Sequence, residues 1–374
     1  MRKHIGAILF FIATVLCLGS YKEASAAETV IDSKNFPNIY FRYYIKNTVD
    51  TDGNGKLSDA EKSAVKEIDV SETSDYQSEY EYPKAESIKG IEHFPNLEKL
   101  VCADSLLSDL NISKNTNLRE LNCSSNNLDK LDISKNKKLR VLNCSDNELE
   151  SLVVSKNRKL TQLFCDNNHL KKLNVSKNKG LIKLSVSDNK LRKLKLTKLK
   201  KLKELYCERN RLKKLNVSKN KKLMTLNCCQ NKIKKLMLKK NTLLDYLACS
   251  KNRLRSLDLS KNRLLQYLYC EGNQMVTGNC RIGSSQLEDC KISPQKRKLR
   301  VKKKGKRYFL PLPGLERTNT ISKLSKGKAT EQGIWLKRKK LPSKISYQYN
   351  MFTDGGQKTK VVIHIKKRGR KKNR

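Results

Sequence analysis

The chain has 374 residues, 31% of them charged, and a formal net charge of +45. An excess of that size goes far beyond what solubility asks and points to a polyanion in the surroundings, while the length leaves room for more than one unit. Acid–base catalysis is disfavoured: the histidines are His4, His93, His169 and His364, and they share no catalytic spacing with cysteine or serine.

At the start, Arg2, Lys3 and His4 precede an apolar run from Ile5 to Leu18, and Ala24, Ser25 and Ala26 supply small residues for cleavage. This is the plan of a secretory signal peptide over residues 1–26. An uncleaved anchor needs roughly 20 apolar residues, and Tyr21, Lys22 and Glu23 end the run too early. The expected mature chain is secreted or held non-covalently at an extracellular surface, with no transmembrane segment.

Residues 27–66 read as a helical cap around one calcium loop. Asp50 to Glu61 fits the twelve-residue EF-hand loop. Asp50, Asp52 and Asn54 would give side-chain oxygens, Lys56 its carbonyl, Ser58 a direct or water-mediated ligand and Glu61 both carboxylate oxygens. Gly55 permits the turn. The pattern predicts an entering helix over 36–49, an exiting helix over 58–68, and a structural Ca2+ that stiffens the end of the fold. A loop that keeps the shape without an ion is the alternative. Residues 67–96 follow as a capping repeat, with a first strand at Ile68 to Val70 and an acidic exposed loop from Glu72 to Glu86.

From Leu97 to residue 285 the sequence repeats every 21 residues, with units opening at Leu97, Leu118, Leu139, Leu160, Leu181, Leu202, Leu223, Leu244 and Leu265. The shared frame is L-x-x-L-x-C-x-x-N-x-L-x-x-L-x-V-S-K-N-x-x, plain from Leu202 to Lys222. This is a leucine-rich-repeat pattern with cysteine in its last apolar slot. Alternation buries Leu205 and Cys207 and turns Glu204, Tyr206 and Glu208 outward. The eight cysteines on the grid share it with Val186, so the node wants a small apolar side chain rather than a disulfide or zinc partner. The asparagines after each strand, Asn126 to Asn273, suit a hydrogen-bonded ladder. The predicted fold class is a repeat solenoid: a leucine-rich-repeat array with a parallel β-sheet on its concave face, a short helical cap and a small β-rich C-terminal domain.

These repeats resemble those of short bacterial leucine-rich-repeat proteins related to the internalin-like surface proteins, with units of the form LxxLxCxxNxLxxLDVSKN. The resemblance runs from about Phe36 to the end of the array and, more weakly, into the tail. It implies a secreted or surface interaction protein and names no ligand.

Two surfaces are candidates for binding. The outward strand positions gather Val141, Phe164, Tyr206, Tyr246, Tyr267 and Tyr269 on the concave side, large contact area suited to a protein or glycan, although strands favour aromatics in any case. Cys229 points the same way. A second surface is basic: one lysine per unit, including Lys156, Lys177, Lys198 and Lys219, stacks on the convex side. Such a column invites an anionic cell-envelope polymer, while solvated lysines are the ordinary alternative.

Past Asn273 the period decays. Cys280 and Cys290 leave the grid and suit either a disulfide or two thiols. Strand signals follow at Lys298 to Val301, Arg307 to Leu312, Ile334 to Leu336, Ile345 to Tyr349 and Val361 to Ile365, within a β-rich domain over 286–365. The end, 366–374, is a polybasic tail containing Lys366, Lys367, Arg368, Arg370, Lys371 and Lys372. Behind a signal peptide it fits retention on an anionic envelope better than nucleic acid. A non-enzymatic adhesion-type scaffold is the expected function, with an envelope-associated polyanion-binding protein as the alternative.

Overall fold

The computed structural model describes residues 28–71, 85–276, 280–282, 284, 287–304, 307–312, 321–330, 333–337, 341–350 and 358–366. The segment read as a signal peptide, most of the acidic loop, the side chain of Cys280 and the tail beyond Lys366 lie outside them, and with them the Cys280–Cys290 question. Among the described residues, no helix is long and apolar enough to cross a membrane.

The fold is a leucine-rich-repeat β-solenoid. Among the described residues its spine is one parallel sheet of eleven strands. Nine of them, from Lys99–Val101 to Tyr267–Tyr269, are three residues long and recur with the sequence period. In each, the middle leucine points inward and its neighbours face the concave side; Leu205 and Cys207 are fully buried while Glu204 and Tyr206 are half-exposed. Strands are this short because, three residues past the end of each of the first eight, a non-glycine residue in the left-handed region turns the chain, just before a ladder asparagine or, at Asp104, before Ser105. Asp104, Ser125, Asp146, Asn167, Asp188, Arg209, Gln230 and Lys251 all have φ between 45° and 55°. Asp and Asn tolerate that conformation; Arg209, Gln230 and Lys251 adopt it against steric preference. The same node in the last regular unit is Gly272, which carries no such cost.

The cysteine node is core, as the valine at 186 implies: all eight grid cysteines and Val186 are fully buried. Burial pushes the Cys123 thiol up to about 12 and raises Cys165 and Cys207 further. The strand-end asparagines form the ladder. Asn126 donates its amide to the Cys102 carbonyl at 2.8 Å and accepts from the Leu107 amide at 2.9 Å, and the arrangement repeats through Asn273.

A second ladder was not assigned from the sequence. The asparagine of each S-K-N triplet is also fully buried; Asn157 donates to the Ile133 and Asn136 carbonyls at 2.9 and 3.0 Å. Leu199 interrupts this column.

At the N-terminal end, helices α1 (Ile39–Thr48) and α2 (Asp59–Ala64) close the core. Asn38 caps α1, and Ser58 with Glu61 forms a capping box on α2. The exiting helix is shorter than the predicted 58–68, because Ile68 leaves it to enter the sheet: Glu67–Asp69 pairs in parallel with Lys99–Val101. Phe36, Phe41 and Phe94 seal the end, with rings 6.0 to 6.5 Å apart.

At the other end the array's sheet runs past residue 285. Asp289–Lys291 pairs with Tyr267–Tyr269, one residue later than the period dictates, so Cys290 takes the leucine position. Gln295 then stands where the next ladder asparagine belongs and donates to the Cys270 carbonyl at 2.9 Å. Beyond it, among the described residues, two four-stranded sheets form the β-rich domain, and the five predicted strand signals lie on strands but for the end residues Val301 and Leu312. Three short strands, Lys302–Lys304, Ile321–Ser322 and Lys328–Thr330, carry no alternating pattern to announce them. The Tyr347 hydroxyl donates to the Val276 carbonyl, fastening this domain to the array.

Candidate functional site

Three places concentrate chemistry. The first is the loop between the helices of the cap. The chain turns at Gly53 and Gly55, both with positive φ, and Lys56–Leu57 forms an antiparallel pair with Thr29–Val30. A lone loop of this kind thereby finds its strand partner in its own N-terminal segment. One ligand oxygen each of Asp50, Asp52 and Glu61 lies within 4.8 Å of the others. Asp50 is buried, and its Oδ1 has no hydrogen-bond partner, while its Oδ2 accepts from the Gly55 amide at 3.0 Å. Asn54 lies beside Asp52, donating to its Oδ2 at 2.9 Å. Burial works to raise the Glu61 carboxyl, but hydrogen bonds from Ser58 and Thr51 outweigh it and hold the group at about 2. Three carboxylates converging on one point, one bearing an orphaned buried oxygen, fit a hard divalent cation. Ser58 is engaged with Glu61, accepting from its amide and donating to its Oε2 at 2.8 Å.

The second place is the concave sheet. All six predicted residues are half-buried on its strands, Val141, Tyr246 and Tyr267 at the first strand position and Phe164, Tyr206 and Tyr269 at the third. They do not make one strip. The Lys183 ammonium sits 5.5 Å from the Phe164 ring centre and 5.7 Å from that of Tyr206, and pairs with Glu204 at 2.9 Å. This bridge divides the face. On its N-terminal side Val141 and Phe164 share a groove of ≈ 270 Å³ with Val101 and Asn143. On its C-terminal side Tyr206, Tyr246 and Tyr267 line one of ≈ 410 Å³ with Thr225, Asp245 and Gln266.

The tyrosines there are also tied to carboxylates that sequence reasoning missed. Tyr267 donates its hydroxyl to Glu288, and Tyr269 to Asp289 at 2.7 Å. The bond to Asp289 and, after it, burial raise the Tyr269 phenol to about 12. Lys291 lies 5.3 Å above the Tyr269 ring. The acids come from the strand displaced by the inserted residue, so no periodic signal pointed to them. Cys229 is half-buried at the rim, and burial raises its thiol.

The third place is the basic column. Lys114, Lys135, Lys156, Lys177, Lys198, Lys219, Lys240 and Lys261 are all exposed. Among the described residues none of these eight makes an ion pair, whereas Lys171 and Lys239 nearby find Glu150 and Asp258. Lys137, Lys138, Arg158 and Lys159 are exposed in the same turns. Lys366 ends the last strand, and Lys367, Arg368, Arg370, Lys371 and Lys372 lie outside the described residues. The histidines of the described chain are not gathered: His93 packs 5.5 Å from Phe36 in the cap, His169 lies in the array and His364 in the last strand.

No family model matches the sequence, and no curated protein matches it. Solved structures do. Internalin F of Listeria monocytogenes is 20% identical, with a TM-score of 0.57 over 72% of this chain and 86% of that one. Internalin C2 of the same organism is 19% identical, with a TM-score of 0.52 over 61% of this chain and 98% of that one. A leucine-rich-repeat protein of Leptospira interrogans is 26% identical, with a TM-score of 0.48 over 55% of this chain; the chain spans 58% of its length. At these identities the likeness to the internalins is one of fold.

Proposed function

We propose that this protein is a secreted or surface-associated binding scaffold, not an enzyme, which holds a protein or glycan partner on its concave sheet in the manner of an adhesin. The observation that carries this reading is the C-terminal groove, where Tyr206, Tyr246 and Tyr267 present half-exposed rings on short strands fixed by two asparagine ladders. Rigid aromatic surface gives large contact area at small entropic cost. Pull-down of surface proteins and glycans with the mature chain tests it. The partner should be lost with Tyr246→Ala plus Tyr267→Ala and kept when Lys156, Lys177, Lys198 and Lys219 are changed to alanine; the reverse pattern rejects the concave reading.

That reverse pattern belongs to a second reading, in which the protein is an envelope-associated structural component whose lysine column and basic tail bind an anionic polymer. Eight exposed lysines, one per unit and without an ion pair among the described residues, favour it, since stacked like charges repel unless something neutralises them. The two surfaces are distinct and serve two partners without conflict.

Calcium belongs to the same proposal. Asp50, Asp52, Asn54, Ser58 and Glu61 would hold the ion with the Lys56 carbonyl, and an ion there neutralises carboxylates that otherwise crowd together. Its role is to brace the cap, because α2 leads within three residues into the edge strand Glu67–Asp69.

A further inference from the structure

We propose that the C-terminal groove of the concave sheet receives a cationic side chain, a lysine or arginine presented by a partner protein. This rests on the concave face being the binding face. Although the chain carries +45, the concave strands from Glu204–Tyr206 onward carry Glu204 and Asp289 against one base, Lys291, with Glu208 and Glu271 two residues past strand ends and Asp245 lining the groove. The local charge thus opposes the global one.

The chain already shows how this face treats an ammonium group. Lys183 lies against the rings of Phe164 and Tyr206 with Glu204 beside it, and Lys291 lies over Tyr269 with Asp289 at 3.8 Å. Each is an aromatic face plus a carboxylate, the combination that attracts a cation through the ring quadrupole and the charge together. Between them the same combination recurs without a resident lysine. Tyr246 and Tyr267, with ring centres 6.1 Å apart, edge the groove, and among the described residues no ammonium group lies over either ring. Asp245 stands in its wall, with its Oδ1 buried and lacking a hydrogen-bond partner. The groove is a third copy of a site that the chain fills twice from its own sequence. An anionic group would meet the Asp245 carboxylate with like charge, so anionic partners belong on the lysine column instead.

A capped peptide of alternating glycine and lysine, fluorescently labelled and titrated into the mature protein, tests this by anisotropy. The peptide should bind, and acetylating its lysines should weaken binding about tenfold or more, as Asp245→Asn and Tyr246→Leu should too. Lys219→Ala should leave binding unchanged. Because the acetylated peptide is compared on the unaltered protein, a variant that misfolds does not blur the result. Equal binding of both peptides, lost in Tyr246→Leu, overturns the cationic proposal and leaves the concave reading standing. Lysine-dependent binding indifferent to Asp245→Asn and Tyr246→Leu places the peptide elsewhere and overturns the proposal, as does absence of binding by either peptide.

Discussion

The side-chain amide of Asn220 donates to the carbonyl of Leu199 at 2.7 Å, but Leu199 has no side-chain amide with which to continue that column toward the preceding repeat. The chain thus shows which of its two ladders bears substitution. In the column Leu199 breaks, each carbonyl also accepts a backbone N–H: Ile133 from Asn136 at 3.1 Å, and Asn136 from Leu139 at 3.2 Å. Each asparagine there also leaves its own Oδ1 buried and unpartnered. In the strand-end ladder, by contrast, the Leu128 amide has the Asn147 Oδ1 as acceptor, at 3.0 Å.

The first prediction compares the two. Asn157→Leu should cost about 1 kcal/mol, and Asn147→Leu about 2–3 kcal/mol, because the latter strands a buried N–H. Denaturant unfolding gives the difference, and hydrogen exchange at the Leu128 amide reports its cause.

The cysteine node gives the second. Val186 fills it without disturbance, so Cys207→Val should change stability by less than about 1.5 kcal/mol. Cys207→Ser places a hydroxyl in a dry core and should cost about 1–3 kcal/mol. Thiol chemistry checks the same burial. In the native protein the grid cysteines should resist alkylation until unfolding, and Cys229 should react ahead of them. Burial raises the Cys229 thiol, so less thiolate is present at any given pH and its alkylation rate should keep climbing above pH 9, where an ordinary thiol levels off.

Gly90 provides the third. Its φ is +106°, and a Cβ would stand 2.4 Å from Phe36 Cδ1 and 2.7 Å from the Asn35 carbonyl. Gly90→Ala should therefore cost more than about 2 kcal/mol and expose the N-terminal end of the core, seen as early proteolysis near Phe36.

Calcium removal is the fourth. If the loop holds the ion, adding calcium to chelator-treated protein should raise the thermal midpoint and slow cleavage between α1 and α2. Asp50→Ala should abolish both responses while the strand-end ladder keeps its exchange protection. An unchanged midpoint in the unaltered protein would reject the ion.

A fifth concerns the lysine column. Binding to a linear polyphosphate should weaken steeply with salt, and changing Lys156, Lys177, Lys198 and Lys219 to alanine should lower the slope of log affinity against log salt by about 3–4. An unaltered slope places the polyanion elsewhere.

Much of the array was legible because its period is fixed by packing: Leu205 and Cys207 must face inward, and a one-residue slip would reverse them. The turn of the cap's loop was legible in Gly55, which the spacing reserves for a sharp turn and which takes a positive φ. What escaped notice lies where periodicity gives no weight. The triplet asparagines look like polar turn residues until Asn157 is found fully buried. Asp289–Lys291 is hidden by one inserted residue, by Cys290 in a leucine slot and by Gln295 in place of asparagine. The concave aromatics read as one strip because sequence spacing cannot show that Lys183 folds down between Phe164 and Tyr206.

The strand-end ladder also has a direction. Asn126 serves Cys102 and Leu107 in the unit before its own, and Gln295 does the same for Cys270. Every unit is completed by its successor, and the last by a residue outside the pattern. A gene encoding this chain can therefore lose or duplicate one 21-residue unit and still pair each donor with an equivalent acceptor, provided Gln295 follows the final copy. A change one residue shorter or longer offers no such pairing. Copy number becomes a free variable, and the reach of the molecule can drift in lineages by steps of about 4.8 Å while both of its ends stay the same.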